Sequence, residues 1–473
     1  MSTKANKHQG EQASRRTRRK PVRTTVDTWT RRRFLKASGV SAAGVLLAGG
    51  AAYSASELLA SGDGEGAGGE AGVLVLVTLY GGNDGLNTVV PAADPHYRNA
   101  RPDLAYGEDE VLPLGEELGL NPGMKGFHGL WKEKRLAVVR GVSYPKPDHS
   151  HFRSMAIWQT ASPESPAPTG WLGRWLDAQS KPDPLTAVSL GATLPPVLAG
   201  EKVSGAAVSL GRAPLPDAWQ TVCTHLAAEQ AGVHPLQQRA AATLGDLVRV
   251  DDAFAAGEEK ESGDGKGGDE NGKGKGKGKG EDGAGEGSGE EDGRQSPEEE
   301  DEDEDKPAEG ASAGGQSGLA AQLGLVERAL ASGARTRVYC VSLGGFDTHA
   351  NEKGTQSRLL ARLDQDLSAF LGRIRRTEAG KRVVVAVHSE FGRRVGANAG
   401  QGTDHGTAGP VFLLGEPVRG GFYGDQPSLA KLVDGDLSTT TDFRDVYATL
   451  LDRVLDTEPG QILDGHEKTL AFL

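Results

Sequence analysis

Residues 73–80 (VLVLVTLY) are apolar almost without a break and stop at Gly81-Gly82. A run of that length and β-branched content fits a strand buried on both faces, as in a parallel sheet covered by helices. Residues 136–142, 337–343, 381–387 and 411–414 repeat the pattern. Between two of them, Leu360, Leu363, Leu367, Phe370, Leu371 and Ile374 recur at helical spacing on one face. Strands alternating with helices predict parallel βαβ units and a doubly wound α/β sheet. Ligands in such sheets bind beyond the carboxyl ends of the strands, so the residues after each strand carry the functional information.

Those residues form polar clusters. Gly81-Gly82-Asn83-Asp84-Gly85 follows the first run, and Asp148-His149-Ser150-His151-Phe152-Arg153 follows the second. Gly345-Phe346-Asp347-Thr348-His349 follows the third, and His388-Ser389-Glu390-Phe391-Gly392-Arg393 the fourth, with Thr403-Asp404-His405-Gly406 soon after. Five of the eleven histidines fall here. Carboxylates crowded together repel and would stay protonated, a cost that a divalent cation removes. Imidazole with carboxylate suits zinc, manganese or iron, and calcium is a further candidate where oxygens dominate. Asp84, Asp347, His349, Glu390, Asp404 and His405 are therefore the candidate metal ligands. Ser150, at the start of an expected helix over 152–160, is a candidate nucleophile, with His151 beside it. Arg393 and Arg153 are candidate oxyanion clamps. Plainer readings exist: Asp84 as a turn residue, Ser150 as a helix cap, His388 as a donor to a backbone carbonyl, Asp442 as the cap of the last helix.

Charge is unevenly placed along the chain. The 473 residues carry a formal net charge of −12. Segment 257–310 holds 21 acidic and 8 basic residues with 16 glycines, and it contains no aromatic or large aliphatic residue. It cannot bury enough apolar area to offset its ordering entropy, so residues 257–316 are expected to be a disordered insert. Calcium or polycation binding by its acidic block would lack a structured Asp-x-Asp-x-Asp-Gly loop. The first 36 residues hold 12 basic against 2 acidic ones. Arg31-Arg32-Arg33-Phe34-Leu35-Lys36 precedes a weakly apolar Gly/Ala stretch and small residues near Ser54-Ala55-Ser56, the pattern of a twin-arginine export signal over residues 1–60. The stretch is too interrupted for a stable membrane span. The expected partner is the twin-arginine translocase, and the expected place is extracellular, periplasmic or in the cell envelope. Once the basic signal is gone, the chain is too acidic for phosphate-backbone contacts, so no nucleic-acid partner is expected. Two cysteines, Cys223 and Cys340, exclude a disulfide scaffold, and Cys340 is expected to pack as a small hydrophobe. The remaining segments, 65–255 and 317–473, suffice for one large α/β domain.

The signal together with LVTLYGGNDGLNTVVP, PDHSHFRSMAIWQTA, GWLGRWLD, GGFDTHANE, HSEFGRR and GTDHGTAGPVFLLG resembles the exported bacterial family of unknown function DUF1501. That family is distantly similar to the alkaline phosphatase and sulfatase superfamily. The resemblance implies an alkaline-phosphatase-like three-layer sandwich with a metal-dependent site at the strand ends. By position, Asp84 matches the first-strand ligand, Ser150 the helix-start nucleophile, Asp347 and His349 an Asp/His ligand pair, and His405 the late histidine ligand. Glu390 can stand in for an aspartate, whereas Phe391 occupies a histidine position and cannot bind metal. The expected activity is hydrolysis of a small-molecule or polymer phosphate, sulfate or related ester. The alternative is a non-catalytic secreted binding or envelope-assembly protein on the same fold.

Overall fold

The computed structural model describes residues 51–53, 55–61, 71–165, 167–191, 193–209 and 318–473, which belong to one compact unit, Leu46–Leu473. The paired arginines, Cys223 and the 257–316 insert lie outside the described residues. In chain order the chain forms β1 (Ala51–Tyr53), α1 (Ala55–Ala60), β2 (Val73–Leu79), β3 (Val89–Val90), α2 (Pro95–Ala100), β4 (Leu112–Gly115), β5 (Leu118–Leu120) and α3 (Lys125–Lys132). It continues with β6 (Leu136–Ser143), α4 (His151–Thr160), α5 (Trp171–Asp177), β7 (Ala187–Leu190) and β8 (Ala206–Val208). After the insert come α6 (Leu319–Ala331), β9 (Val338–Leu343), α7 (Glu352–Ile374), β10 (Val383–Ser389), β11 (Gly409–Leu414), β12 (Gly421–Tyr423), β13 (Thr441–Asp442), α8 (Phe443–Arg453) and α9 (Pro459–Ile462).

The central sheet runs β1-β8-β7-β9-β2-β10-β11-β6-β12, with β13 also pairing β6. Every neighbouring pair is parallel except β10–β11 and β11–β6, so β11 alone runs against the rest. The result is a mixed α/β fold with a mostly parallel central sheet flanked by helices. Strands from both sides of the insert interleave, β2 lying between β9 and β10. β3, β5 and β4 form a separate antiparallel ribbon. β1 and α1 fall within the segment read as an export signal; β1 pairs β8 at the sheet edge and Leu58 of α1 is buried.

Alternation along the strands assigns the two faces. Val73, Val75, Val77 and Leu79 of β2, with Val383, Val385 and Val387 of β10, enter the main apolar cluster with Leu360, Leu363, Leu367, Phe370, Leu371 and Ile374 of α7. Each such side chain contributes about 1.5–3 kcal/mol on burial. Asp364 shares that helix face because its carboxylate accepts the amides of Gly126 and Phe127 at 2.9 and 2.7 Å, capping the start of α3. Trp158 of α4, Trp171 of α5 and Tyr447 of α8 pack on the opposite side, the Trp171 and Tyr447 rings stacking at 4.3 Å. Cys340 is a free, buried thiol in the middle of β9. Among the described residues, no helix is long and apolar enough to cross a membrane.

Candidate metal centre

Parallel strands deliver their following loops to one rim. His151 opens α4 after β6, Asp347 and His349 follow β9, and Glu390 follows β10. His405 arrives differently: it lies in the loop before β11, and because β11 runs backwards its entry is on the same rim. Gly81 and Gly82 make room. Gly81 has φ +116°, and a Cβ there would lie 2.3 Å from the Asp347 amide; Gly82 has φ +73°, and a Cβ there would lie 2.2 Å from the Phe391 ring. Both need the conformational freedom of glycine.

Three imidazoles converge on Asp347 through the same nitrogen. His349 Nε2 and His405 Nε2 lie 3.0 and 3.1 Å from its Oδ1, and His151 Nε2 lies 3.4 Å from Oδ2. His349 Nε2 and His405 Nε2 are 3.0 Å apart. Each ring has an oxygen at its other nitrogen. His151 Nδ1 meets Glu390 Oε1 at 2.8 Å, His405 Nδ1 meets the His149 carbonyl at 2.8 Å, and His349 Nδ1 meets Asp404 Oδ1 at 3.4 Å. A carbonyl only accepts, so His405 Nδ1 donates to it, and Nε2 is the nitrogen turned to the cluster. Burial alone would lower His151, but Asp347 and Glu390 outweigh it and hold the ring up at about 9. Burial would raise Asp347, but His151, His405 and Arg393 pull its carboxyl below the usual carboxylate range.

The donor set fits a divalent cation. His151 Nε2 is buried, and its one polar neighbour is Asp347 Oδ2 at 3.4 Å, a long contact that a shared cation would replace. The ligand atoms of His151, Asp347 and His405 all lie within 4.8 Å of one another. Tetrahedral coordination at 2.0–2.1 Å would separate its ligand atoms by about 3.3 Å, near the 3.0–3.4 Å between Asp347 and the three imidazoles. An oxygen acceptor behind each ring is the arrangement that orients metal-binding histidines. Three imidazoles favour zinc or manganese over calcium, whose sites are built from oxygen. Phe391 walls the site, its ring 4.8 and 4.9 Å from those of His151 and His405.

Several expected participants sit elsewhere or act at one remove. Glu390 is 2 % exposed and accepts from the Gly81 amide as well as facing His151, so it orients the ring. Asp404 holds the far side of His349 and bonds Asn398. Arg393 cannot clamp a substrate. Its side chain is fully buried and donates to the carbonyls of Gly81, Gly82, Phe346 and Thr403 and, at 2.6 Å, to Asp347 Oδ1. Asp84 is not in the cluster: it is buried against the Arg101 guanidinium and accepts from the Leu86 amide at 3.3 Å. Ser150 precedes α4, and its side chain does not bond the helix amides; Asp148 accepts from the Ser150 amide instead. His388 bonds Thr78 Oγ1 at 3.2 Å, and the Ser389 backbone also acts on the ring. Asp442 caps α8 through the Arg444 amide, as the plain reading had it.

Sequence reasoning missed two polar groupings. Arg101, Glu352 and Gln356 surround Asp84. Glu352 accepts from Thr403 Oγ1 at 2.5 Å, Gln356 donates to the Asp84 carbonyl at 2.7 Å, and burial together with the Asp84 charge pushes Glu352 up to about 9. The second grouping pairs exposed His149 with buried Asp436 at 2.9 Å. Nothing in the sequence pointed to Asp436, which lies in an irregular loop.

No curated protein matches the chain. Among solved structures it is similar to Ps i-CgsB, at 11 % identity over 84 % of this chain and 75 % of that one, with a TM-score of 0.35. It is likewise similar to Ps i-CgsB in complex with k-i-k-neocarrahexaose, at 10 % identity over the same shares, with a TM-score of 0.34. The sequence profile described as protein of unknown function (DUF1501) matches residues 71–467. Spanning most of the chain and every residue of the centre, that match makes this protein a member of the DUF1501 family.

Proposed function

We propose that this chain is an exported, metal-dependent hydrolase of phosphate, sulfate or related esters, on an alkaline-phosphatase-like arrangement, working with a single cation. The convergence of three imidazole Nε2 atoms on Asp347, each ring backed by an oxygen, carries the reading. His151, His349, His405 and Asp347 would hold zinc or manganese, which supplies Lewis-acid polarisation of an ester oxygen when bound. The chain's own residues keep that site in shape. Arg393 fixes Asp347, Glu390 and the His149 carbonyl fix the ring orientations, and Phe391 shields one side from water. Ser150 is not held by a base, so a water oxygen is the assigned nucleophile. It forms the new bond to phosphorus or sulfur, the ester oxygen departs, and the proton released by the water passes to that leaving oxygen. The Arg-Arg-Arg-Phe-Leu-Lys sequence supports export through the twin-arginine translocase to the extracellular space, periplasm or cell envelope.

Elemental analysis of folded protein purified without chelator, beside a chelated control, tests the centre. One metal per chain is expected in the first and none in the second, with turnover of aryl phosphate or sulfate esters only by the loaded form. If Asp347→Ala and His405→Ala keep both metal and turnover, the proposal fails. The burial of Arg393 favours a second reading, a non-catalytic binder of envelope polymers, because that guanidinium is committed to Asp347 and backbone carbonyls and does not face a substrate. Bound metal without ester turnover, together with saturable binding to envelope glycan, would select it.

A further inference from the structure

The sheet face turned toward α4 and α8 is unusually polar for an interior. Thr78 of β2, Ser189 of β7, Cys340 and Ser342 of β9 and His388 of β10 line a cavity of about 30 Å³. Trp158 of α4 and Tyr447 of α8 also line it, and among the described residues no carboxylate, lysine or arginine is part of its wall. Two of its lining residues keep a buried nitrogen without a partner: Trp158 Nε1 and His388 Nδ1. The residues are 3 % and 5 % exposed. Left dry, both nitrogens would be unsatisfied in the interior, which native folds rarely accept. A polar cavity of this size has room for about two water molecules.

We infer that the cavity binds ordered water bridging Trp158 Nε1 to His388 Nδ1, and that this bridge positions the rim of the metal centre. The indole only donates, so the water accepts from Trp158, and in the inferred arrangement it donates to His388 Nδ1. The His388 proton then resides on Nε2 and is donated to Thr78 Oγ1 at 3.2 Å. The two rings already stack, with centroids 4.8 Å apart and planes 15° from parallel, so the water completes a contact between their edges. The bridged elements matter for the site. Trp158 lies about two turns along α4 from His151, and His388 is two residues before Glu390 on β10. His151 and Glu390 form the 2.8 Å pair that turns His151 Nε2 toward Asp347. The strut therefore sets the spacing of that pair, and this functional part rests on the metal reading above.

A high-resolution crystal structure of the wild type is expected to show solvent density hydrogen-bonded to both nitrogens. Trp158→Phe keeps the ring stack and removes the donor. It is expected to lose that density and, in competition with a zinc chelator, to bind zinc about tenfold more weakly, the usual effect of removing support behind a metal ligand. Absence of the density in the wild type overturns the inference. So does a Trp158→Phe protein whose zinc affinity is unchanged while only the melting temperature of the chelated form falls. If the wild type binds no zinc at all, the metal reading fails, and the crystal density alone decides whether the bridge exists.

Discussion

Buried His388 and the buried Arg101–Asp84 pair illustrate how position sets chemistry. His388 sits under Trp158, and burial pulls it down to about 4, below its ordinary 6.5. The unfolded chain therefore binds a proton between pH 6.5 and 4 that the folded chain refuses, and stability falls as pH drops through that window. The loss is on the order of 3 kcal/mol by pH 4. Denaturant midpoints of chelated protein across pH 4–7 should show that slope, and His388→Gln should flatten it. Arg101 and Asp84 form the opposite case, a charged pair out of water. Arg101→Met leaves the Asp84 carboxylate uncompensated and should cost about 3–5 kcal/mol. Asp84→Asn should leave the metal content of the surviving fold unchanged, because Asp84 lies outside the centre; loss of metal in that variant would restore it as a ligand. The sequence showed that Asp347, His349 and His405 cluster, since Asp-His pairs between glycines at strand ends have few structural uses. It could not separate ligand from support, as Glu390 and Asp404 have the composition of ligands and differ only in what their oxygens face.

At the scale of elements, the apolar runs located β2, β6, β9 and β10 to within a few residues, because strands buried on both faces leave little choice of side chain. The direction of β11 was not legible: residues 411–414 read the same forward and backward, and direction is decided by pairing to β10 and β6. That reversal brings His405 to the rim. The first loop is equally exacting. Gly82→Ala would place a methyl into Phe391 at positive φ, adding about 1–2 kcal/mol of backbone strain to an overpacking cost of about 1–3 kcal/mol. Thermal melts should register the full loss. Because Phe391 touches both His151 and His405, zinc affinity should drop with it, and a variant with normal affinity would show that the Phe391 wall is dispensable.

At the scale of the molecule, the proposed ligands come from three separate stretches of chain, and a cation that binds only their folded arrangement would stabilise by mass action. Zinc at about a thousandfold excess over its dissociation constant should contribute about 4 kcal/mol, read as a rise in melting temperature that a chelator abolishes. A melting temperature indifferent to zinc and chelator would argue against the site. The backward strand has a last consequence. His405 meets the His149 carbonyl across 256 residues of sequence, after β6, β9, β10 and β11 have all taken their places. A chain still growing, or one lacking its second half, holds at most a fragment of the coordination sphere. Under the proposed reading, metal capture would thus be a certificate of completed topology, issued only when nearly the whole sheet has closed.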